Sequence, residues 1–204
     1  KDQGNIILIP REGNHLVRVY VELDELADDR RLSAQDVTVD ELVYATNRVL
    51  APYRVDVKEV AWWSVYEVGH RLTDRFDDVP ESQSRWRHPR VFIAGDACHT
   101  HSAKAGQGMN VSMGDTFNLG WKLISVLKGI SSPQLLHSYS QERQAVARDL
   151  IDFDHKWSRI MAAPPEGDVP VGATPLFQRH FIEHGRFTAG VSVRYRPSLL
   201  TGST

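Results

Sequence analysis

The first third of the chain carries an apolar–polar pattern that predicts a β-hairpin, a helix and a third strand. Residues 5–9 and 15–23 alternate as strands do, and the Pro-Arg-Glu-Gly-Asn run between them supplies a tight reversal. Residues 38–41, Thr-Val-Asp-Glu, have capping-box spacing and precede apolar positions at helical intervals, which predicts a helix to about Pro52. Residues 58–68 alternate again and are rich in β-branched and aromatic side chains, so they are predicted to form a third strand.

The two faces of the second strand differ in character. One face is apolar and is expected to be core: Val17, Val19, Val21 and Leu23. The other is mixed and is expected to face a cavity or solvent: Leu16, Arg18, Tyr20 and Glu22.

The rest of the chain is predicted to be mainly helical. Residues 77–89 are polar and contain two prolines, which predicts a surface connection, and we place the boundary between two structural units there. Residues 91–94 form a short apolar strand, and a glycine-rich stretch then leads to a helix with apolar residues Met113, Phe117, Trp121, Ile124 and Leu127 and a C-cap at Gly129. A second helix opens at Ser132 and keeps near-heptad spacing through Tyr139, Arg143, Val146, Leu150, Phe153, Trp157 and Ile160. Residues 162–174 are predicted to be a loop, and the chain from Arg194 onward a frayed or linker-like end.

Composition narrows the class of protein. With 204 residues, of which 41% are hydrophobic, the chain is long enough to bury a core. A net charge of -2, without a basic stripe, argues against nucleic acid as a partner. The single cysteine, Cys98, excludes an internal disulfide, and no apolar run reaches the roughly 18 residues of a membrane span, so a soluble, cytoplasmic protein is expected.

The stretch from Arg90 to Lys122, RVFIAGDACHTHSAKAGQGMNVSMGDTFNLGWK, carries the candidate chemistry. A strand ends at Gly95-Asp96, and after a loop of small residues a helix opens around Gly106-Gln-Gly-Met-Asn110. A helix opening presents unpaired N–H groups and about half a positive charge, which suits an anion or an electron-rich oxygen. Glycines at 106 and 108 let a flat ligand approach the backbone, and Asp96 can accept hydrogen bonds from a sugar-like hydroxyl chain.

Other interpretations of the same stretch remain open at this level. Gly106-x-Gly108 resembles part of a dinucleotide fingerprint, but it lacks the third glycine and lies about ten residues after the strand. Four side chains are of metal-binding type: Asp96, Cys98, His99 and His101. The glycines and histidines could also serve only to turn and fill a loop.

The sequence resembles a known family over most of its length. GDACHTHSAKAGQGMN followed by DTFNLGWKL is similar to the second FAD-binding motif of the single-component (group A) FAD-dependent aromatic hydroxylases, in the phenol 2-monooxygenase and 3-hydroxybenzoate 4-monooxygenase branch. The likeness extends to IPREGNHLVRVYVEL near the start, to WWSVYEVGHR at 62–71 and to SYSQERQAVARDLIDFDH at 138–155.

The resemblance implies a mixed α/β (α+β) fold with residues 1–80 in a β-sheet substrate domain and 90–165 in the C-terminal part of an FAD-binding domain. Residues 166–204 would be a loop and linker towards a further C-terminal domain. The implied cofactor-binding residues are Gly95, Asp96, Ala103, Gly106, Gln107, Gly108, Met109, Asn110 and Arg18. Asp96 would hold the ribityl chain of FAD, and Ala103 stands where the family usually has proline. The implied catalytic residues are Tyr20, towards the substrate hydroxyl, Arg18, towards the flavin, and Arg11, towards an anionic substrate, with Tyr66 a weaker candidate.

The resemblance further implies hydroxylation of a phenolic ring ortho to its hydroxyl, with NAD(P)H and O2 and through a flavin C4a-hydroperoxide. The expected partners are a small aromatic substrate, O2 and a second copy in a homodimer. The sequence contains neither the GxGxxG helix that holds the ADP half of FAD nor the family's middle Asp-Gly motif, so an N-terminal FAD-binding segment from elsewhere is expected to be required. The alternatives are a non-catalytic FAD-binding fragment and a metal-binding protein that uses Asp96, His99 and His101.

Overall fold

The structure, a computed structural model, describes residues 4–23, 37–65, 69–102, 106–162 and 176–202. The chain divides into two compact units, Lys1–Glu67 and Val68–Thr204. The division precedes the boundary predicted at residues 77–89, and Val79 within that segment is fully buried in the second unit. No helix among the described residues combines the length and the apolarity that crossing a bilayer requires.

The first unit contains the predicted hairpin and helix. Strands β1 (Ile6–Pro10) and β2 (Val17–Val21) pair antiparallel, with Ile7 opposite Tyr20 and Ile9 opposite Arg18. Glycine and asparagine with positive φ, Gly13 and Asn14, make the reversal, as turn chemistry predicts. The β2 face predicted to be core is nevertheless exposed at its valines, Val17 by 57% and Val19 by 41%.

Helix α1 (Val39–Leu50) begins where the sequence predicts. The Thr38 hydroxyl accepts from the Glu41 amide at 3.3 Å, and the Glu41 carboxylate accepts from the Thr38 amide at 2.6 Å, so both halves of the capping box form. The backbone and side-chain bonds from Thr38 lower the pKa of the Glu41 carboxyl. The third strand predicted at 58–68 is wrong for its described part, because residues 58–65 form no strand.

The second unit is built on two long helices, α2 (Gly108–Leu127) and α3 (His137–Ala162). Its core consists of Phe76, Cys98, Tyr139 and Ala147. Two short strands, β3 (Arg71–Leu72) and β4 (His99–Thr100), pair antiparallel beside it. The apolar strand predicted at 91–94 is reduced to one bridge between Asp77 and Phe92, since among the described residues its backbone–backbone hydrogen bonds go only to residues 76–78.

The two helices differ in which face they bury. Helix α3 buries the predicted heptad positions from Tyr139 to Trp157, whereas Ile160 is only half-buried. Helix α2 has the opposite arrangement, because the face that it buries against α3 is polar and consists of Asp115, Asn118 and Lys122. Its apolar stripe is exposed and consists of Met109, Met113, Phe117, Trp121, Ile124 and Leu127. The helical period of that stripe is confirmed, but the stripe does not face the core of this unit.

The described part of the segment predicted to be a loop and linker, residues 176–202, is not all loop, whereas its role as a linker stays a prediction. Residues 176–202 include helices α4 (Leu176–Glu183) and α5 (Gly185–Thr188). The ring of Phe153 on α3 packs against the rings of Phe187 and His180, with centroid distances of 4.9 and 5.6 Å. These contacts hold both short helices on α3. The loop predicted at 162–174 lies outside the described residues, apart from Ala162, which ends α3.

Candidate functional site

The candidate site consists of the loop residues 95–102 and the helix opening at residues 106–110. Gly95–Ala97 forms a single 3₁₀ turn on which the Asp96 side chain is exposed. Helix α2 begins after Gln107, whose carbonyl accepts the first helical bond, from Val111 at 3.0 Å. The N–H groups of the three residues between them therefore have no intrahelical partner.

This helix opening has no side-chain cap and no acidic residue in its first turn. Its partial positive charge is therefore not neutralised by the helix itself, which leaves it available to an electron-rich group. Just ahead of it Gly106 adopts φ +66, and a Cβ at this position would meet nothing within 4 Å among the described residues. The backbone is thus open at Gly106, whereas a Cβ at Gly108 would clash with the His101 ring, which lies against that glycine. That both glycines admit a flat ligand stays a prediction.

A buried carboxylate fixes the loop from below. Asp115 is fully buried and accepts from the Gly95 amide at 3.1 Å and from His99 Nε2 and Arg143 Nε, each at 2.7 Å. Burial by itself would raise the pKa of Asp115, but the hydrogen bonds from His99 and Arg143 and the charge of Arg143 outweigh it, and the net shift is downward. The ionised carboxylate thus ties the loop, α2 and α3 together.

Arg143 extends this network. Burial would lower its pKa, but its bond to Asp115 raises it. Its remaining donors bind the Val111 carbonyl at 3.0 Å and the Tyr195 hydroxyl at 3.1 Å. Two turns further along α2 than Asp115, the buried Lys122 lies 2.6 Å from the Glu142 carboxylate. The α2–α3 interface is therefore largely ionic.

A second buried carboxylate holds the end of the loop. Asp154 on α3 is fully buried and accepts from the Ser102 amide at 2.7 Å, the Ser102 hydroxyl at 2.6 Å and His70 Nε2 at 2.7 Å. Nearer the helix opening, the Gln107 side chain donates to the Thr188 carbonyl. The candidate site thus rests on α3 at one end and on α5 at the other.

The metal hypothesis for this loop is not supported. His99 uses Nε2 to donate to Asp115, the His101 Nδ1 donates to the Ser102 carbonyl, and the Asp96 side chain points to solvent. Within the described residues these side chains do not bring three ligand atoms together. Cys98 is 2% exposed, and burial, with the charge of Asp115, raises the pKa of its thiol to about 12, which disfavours the thiolate that binds metals.

The predicted substrate-side residues lie in the first unit. Arg18 and Tyr20 share a face of β2, as the strand period predicts, and the Arg18 guanidinium donates to the Tyr20 hydroxyl at 3.4 Å. Arg11, in the turn, pairs with Glu12 at 3.0 Å, and both side chains are largely exposed. Ala103 and Tyr66 lie outside the described residues.

Within the second unit the structure brings together Gly95, Asp96 and residues 106–110, which the sequence singled out. Sequence reasoning did not identify the side chains that hold these residues in place through hydrogen bonds. They are Asp115, Arg143, Asp154 and Gln107. The only hint was spacing, because Arg143 falls among the core positions of α3 and an arginine there needs a buried counter-charge.

Comparison with known proteins agrees with the geometry. The family model described as an FAD binding domain matches residues 1–154. The chain is 55% identical over 98% of its length to the 3-hydroxybenzoate 4-monooxygenase of Comamonas testosteroni, and 40% identical over 97% to phenol 2-monooxygenase fsqG of Aspergillus fumigatus. It spans only 32% and 31% of these relatives' own lengths.

Solved structures show the same fold. BexE, studied for oxidation during BE-7585A biosynthesis, superposes with a TM-score of 0.67 at 25% identity, over 95% of this chain and 38% of its own. CabE, an aromatic hydroxylase from angucycline biosynthesis, superposes with a TM-score of 0.62 at 25% identity, over 95% of this chain and 37% of its own. The mixed helix-and-strand fold class is thereby confirmed. The chain belongs to the family described as the FAD binding domain.

Proposed function

We propose that this chain forms the flavin-ring and ribityl side of the FAD site in a longer FAD-dependent monooxygenase that hydroxylates a phenolic ring. One observation carries the proposal: the uncapped opening of α2 lies just after a loop that exposes the Asp96 carboxylate. A flavin offers matching groups, a ribityl chain of hydroxyls and an electron-rich pyrimidine edge. The part that binds the ADP half is supplied from outside this chain.

The described residues fit FAD on structural grounds. Gly106 leaves open space at the backbone, and the unpaired N–H groups of residues 108–110 suit the pyrimidine oxygens. Bound FAD, reduced by NAD(P)H, would supply the oxygen-transfer chemistry with O2. The chain's own contribution is to orient the ring, to stabilise negative charge at the α2 opening and to fix the loop at Gly95 and Ser102 through Asp115 and Asp154.

The relatives' names support a phenol as substrate. A 4-hydroxylation of 3-hydroxybenzoate and a 2-hydroxylation of phenol both place the new hydroxyl on the carbon next to the existing one. We therefore assign ortho-hydroxylation to this protein. In this assignment Tyr20 bonds the substrate hydroxyl, Arg18 contacts the flavin and Arg11 contacts an anionic substrate group, with a homodimer as the working form.

The cofactor assignment is tested by Asp96→Ala in the full-length protein. Losing a charged acceptor for the ribityl hydroxyls removes about 1.5–3 kcal/mol, which is roughly a 10- to 100-fold rise in the Kd for FAD. Flavin-stripped protein is titrated with FAD while fluorescence is followed. Asp149→Ala, which removes an exposed carboxylate on α3, is the control and should bind FAD as the wild type does. An unchanged Kd in Asp96→Ala would remove this residue from the cofactor site.

The substrate assignment is tested by Tyr20→Phe, assayed with 3-hydroxybenzoate and phenol. One lost hydrogen bond to the phenolic oxygen lowers kcat/KM by roughly 10- to 100-fold and lets more NAD(P)H be consumed without product. FAD content should not change. Tyr53→Phe, at a side chain that is 79% exposed in the same unit, is the control. If Tyr20→Phe couples NAD(P)H oxidation to product as well as the wild type does, Tyr20 does not bind the substrate.

A further inference from the structure

Three side chains of metal-ligating type converge at the end of α4, apart from the loop considered above. His180, Glu183 and His184 each offer one ligand atom, and these atoms all lie within 4.8 Å of one another. They occupy helical positions i, i+3 and i+4, which place them on one face. The His184 amide still donates to the His180 carbonyl at 3.1 Å, so the helical geometry continues through the last of the three.

The hydrogen bond of His184 sets its tautomer. Its Nδ1 lies 2.9 Å from the His180 carbonyl oxygen, and a carbonyl can only accept, so Nδ1 carries the proton. Nε2 then keeps its lone pair for a ligand. A ring N–H that donates to a backbone carbonyl is the usual support of a metal-binding histidine.

His180 supplies a second, independent observation. It is only 9% exposed, and its Nε2 is buried with no hydrogen-bond partner among the described residues. A buried polar atom without a hydrogen-bond partner lowers the stability of the fold, so it indicates that a bound group interacts with this nitrogen. The rings of Phe153 and Trp157 stack against His180, with centroid distances of 5.6 and 5.7 Å, so its imidazole is held in one place.

We propose that His180, Glu183 and His184 form a binding site for a divalent transition-metal ion of the zinc type. Two imidazole nitrogens and one carboxylate oxygen are a common zinc ligand set, with water at the fourth position. Ligand atoms around a tetrahedral zinc lie about 3.3 Å apart, so the three ligand atoms, which lie within 4.8 Å of one another here, would have to move closer to bind the ion. Glu183 is exposed, so its side chain can make that movement. The ion would fix α4 against the turn that leads into α5.

The test uses full-length protein prepared without a polyhistidine tag. The protein is treated with EDTA, equilibrated by dialysis against buffered ZnCl2, and its zinc content is measured by mass spectrometry. The wild type should hold one zinc per chain. Zinc-edge X-ray absorption should show nitrogen and oxygen neighbours at about 2.0–2.2 Å and no sulfur, because Cys98 is buried elsewhere.

Two variants and one control decide the result. Glu183→Gln and His184→Ala should each weaken zinc binding by about tenfold or more, since losing a direct ligand costs at least as much as losing an outer partner. Glu183 is exposed, so its variant should fold normally, which circular dichroism and the melting temperature verify. His15→Ala, at an exposed histidine in the hairpin, should bind zinc as the wild type does. The proposal fails if wild-type protein holds no zinc, or if both variants hold as much as the wild type.

Discussion

Replacing Asp115 with Asn should destabilise the second unit strongly, because it removes the charge that compensates Arg143. Both side chains are nearly inaccessible, at 0% and 4%, and Asp115 is the only carboxylate bonded to Arg143 among the described residues. Breaking a buried pair from one side costs about 3–5 kcal/mol, because it leaves an uncompensated charge in a medium of low dielectric. For a domain of 150–250 residues, a loss of that size lowers the melting temperature on the order of 10 °C.

The pH dependence gives this prediction a direction. The net pKa shift of Asp115 is downward. Its contribution to the free energy of unfolding is therefore fully present above the ordinary aspartate pKa of about 4. That contribution is lost as the pH falls through the pKa that Asp115 has in the folded protein. The difference in unfolding free energy between the wild type and Asp115→Asn should therefore be largest near neutral pH and shrink in acid.

Urea unfolding of full-length protein at fixed FAD concentration, at neutral pH and in acid, measures both quantities. Asp149→Asn, at an exposed position on α3, is the control and should lie within about 0.5 kcal/mol of the wild type. A double-mutant cycle of Asp115→Ala with Arg143→Ala isolates the pairwise coupling. The reasoning is refuted if Asp115→Asn costs less than about 1 kcal/mol at neutral pH, or if the difference from the wild type stays constant in acid.

Two further predictions follow from the same loop. Cys98 is 2% exposed, and the pKa of its thiol is raised to about 12. It should therefore resist iodoacetamide at pH 8 in the native protein and react fully in urea. Equal labelling in both states would contradict its burial. Gly95 and Gly106 share positive φ values of +62 and +66, but a Cβ at Gly95 would lie 3.2 Å from Ser112 Cβ. Gly95→Ala should therefore lower the melting temperature more than Gly106→Ala does. The Gly106 variant carries only the backbone strain of about 1–2 kcal/mol. Equal losses in melting temperature would show that packing against Ser112 is unimportant.

The elements that the sequence predicted correctly are those specified by neighbouring residues. The capping box at Thr38, the turn at Gly13 and Asn14, and the serine cap at Ser132 each act over a few residues, and all three form. The strands predicted at 58–68 and 91–94 depend instead on a distant partner. Alternation shows which side chains share a face, but it does not supply the neighbouring strand whose hydrogen bonds define a sheet.

Helix α2 shows a second limit of sequence reasoning. Its apolar period correctly indicated a helix, but a period does not show which face meets the rest of the unit. The buried face is the polar one, because Asp115 and Lys122 find counter-charges on α3 that lie about 20 to 28 residues away in the chain. For the candidate site, the glycines and Asp96 were recognisable by motif, whereas their supports depend on contacts between distant segments.

The ionic interface between α2 and α3 also limits how this sequence can change over time. A single substitution at Asp115, Arg143, Lys122 or Glu142 strands a buried charge, at a cost of about 3–5 kcal/mol against a total stability of about 5–15 kcal/mol for a typical domain. Replacing both members of a pair by apolar residues is often close to neutral, but that requires two changes at once. A sequence with only one of the two changes would therefore be barely stable, which hinders the replacement of this ionic interface by an apolar one. Among relatives these positions should change in pairs or not at all, even where the surrounding surface varies freely.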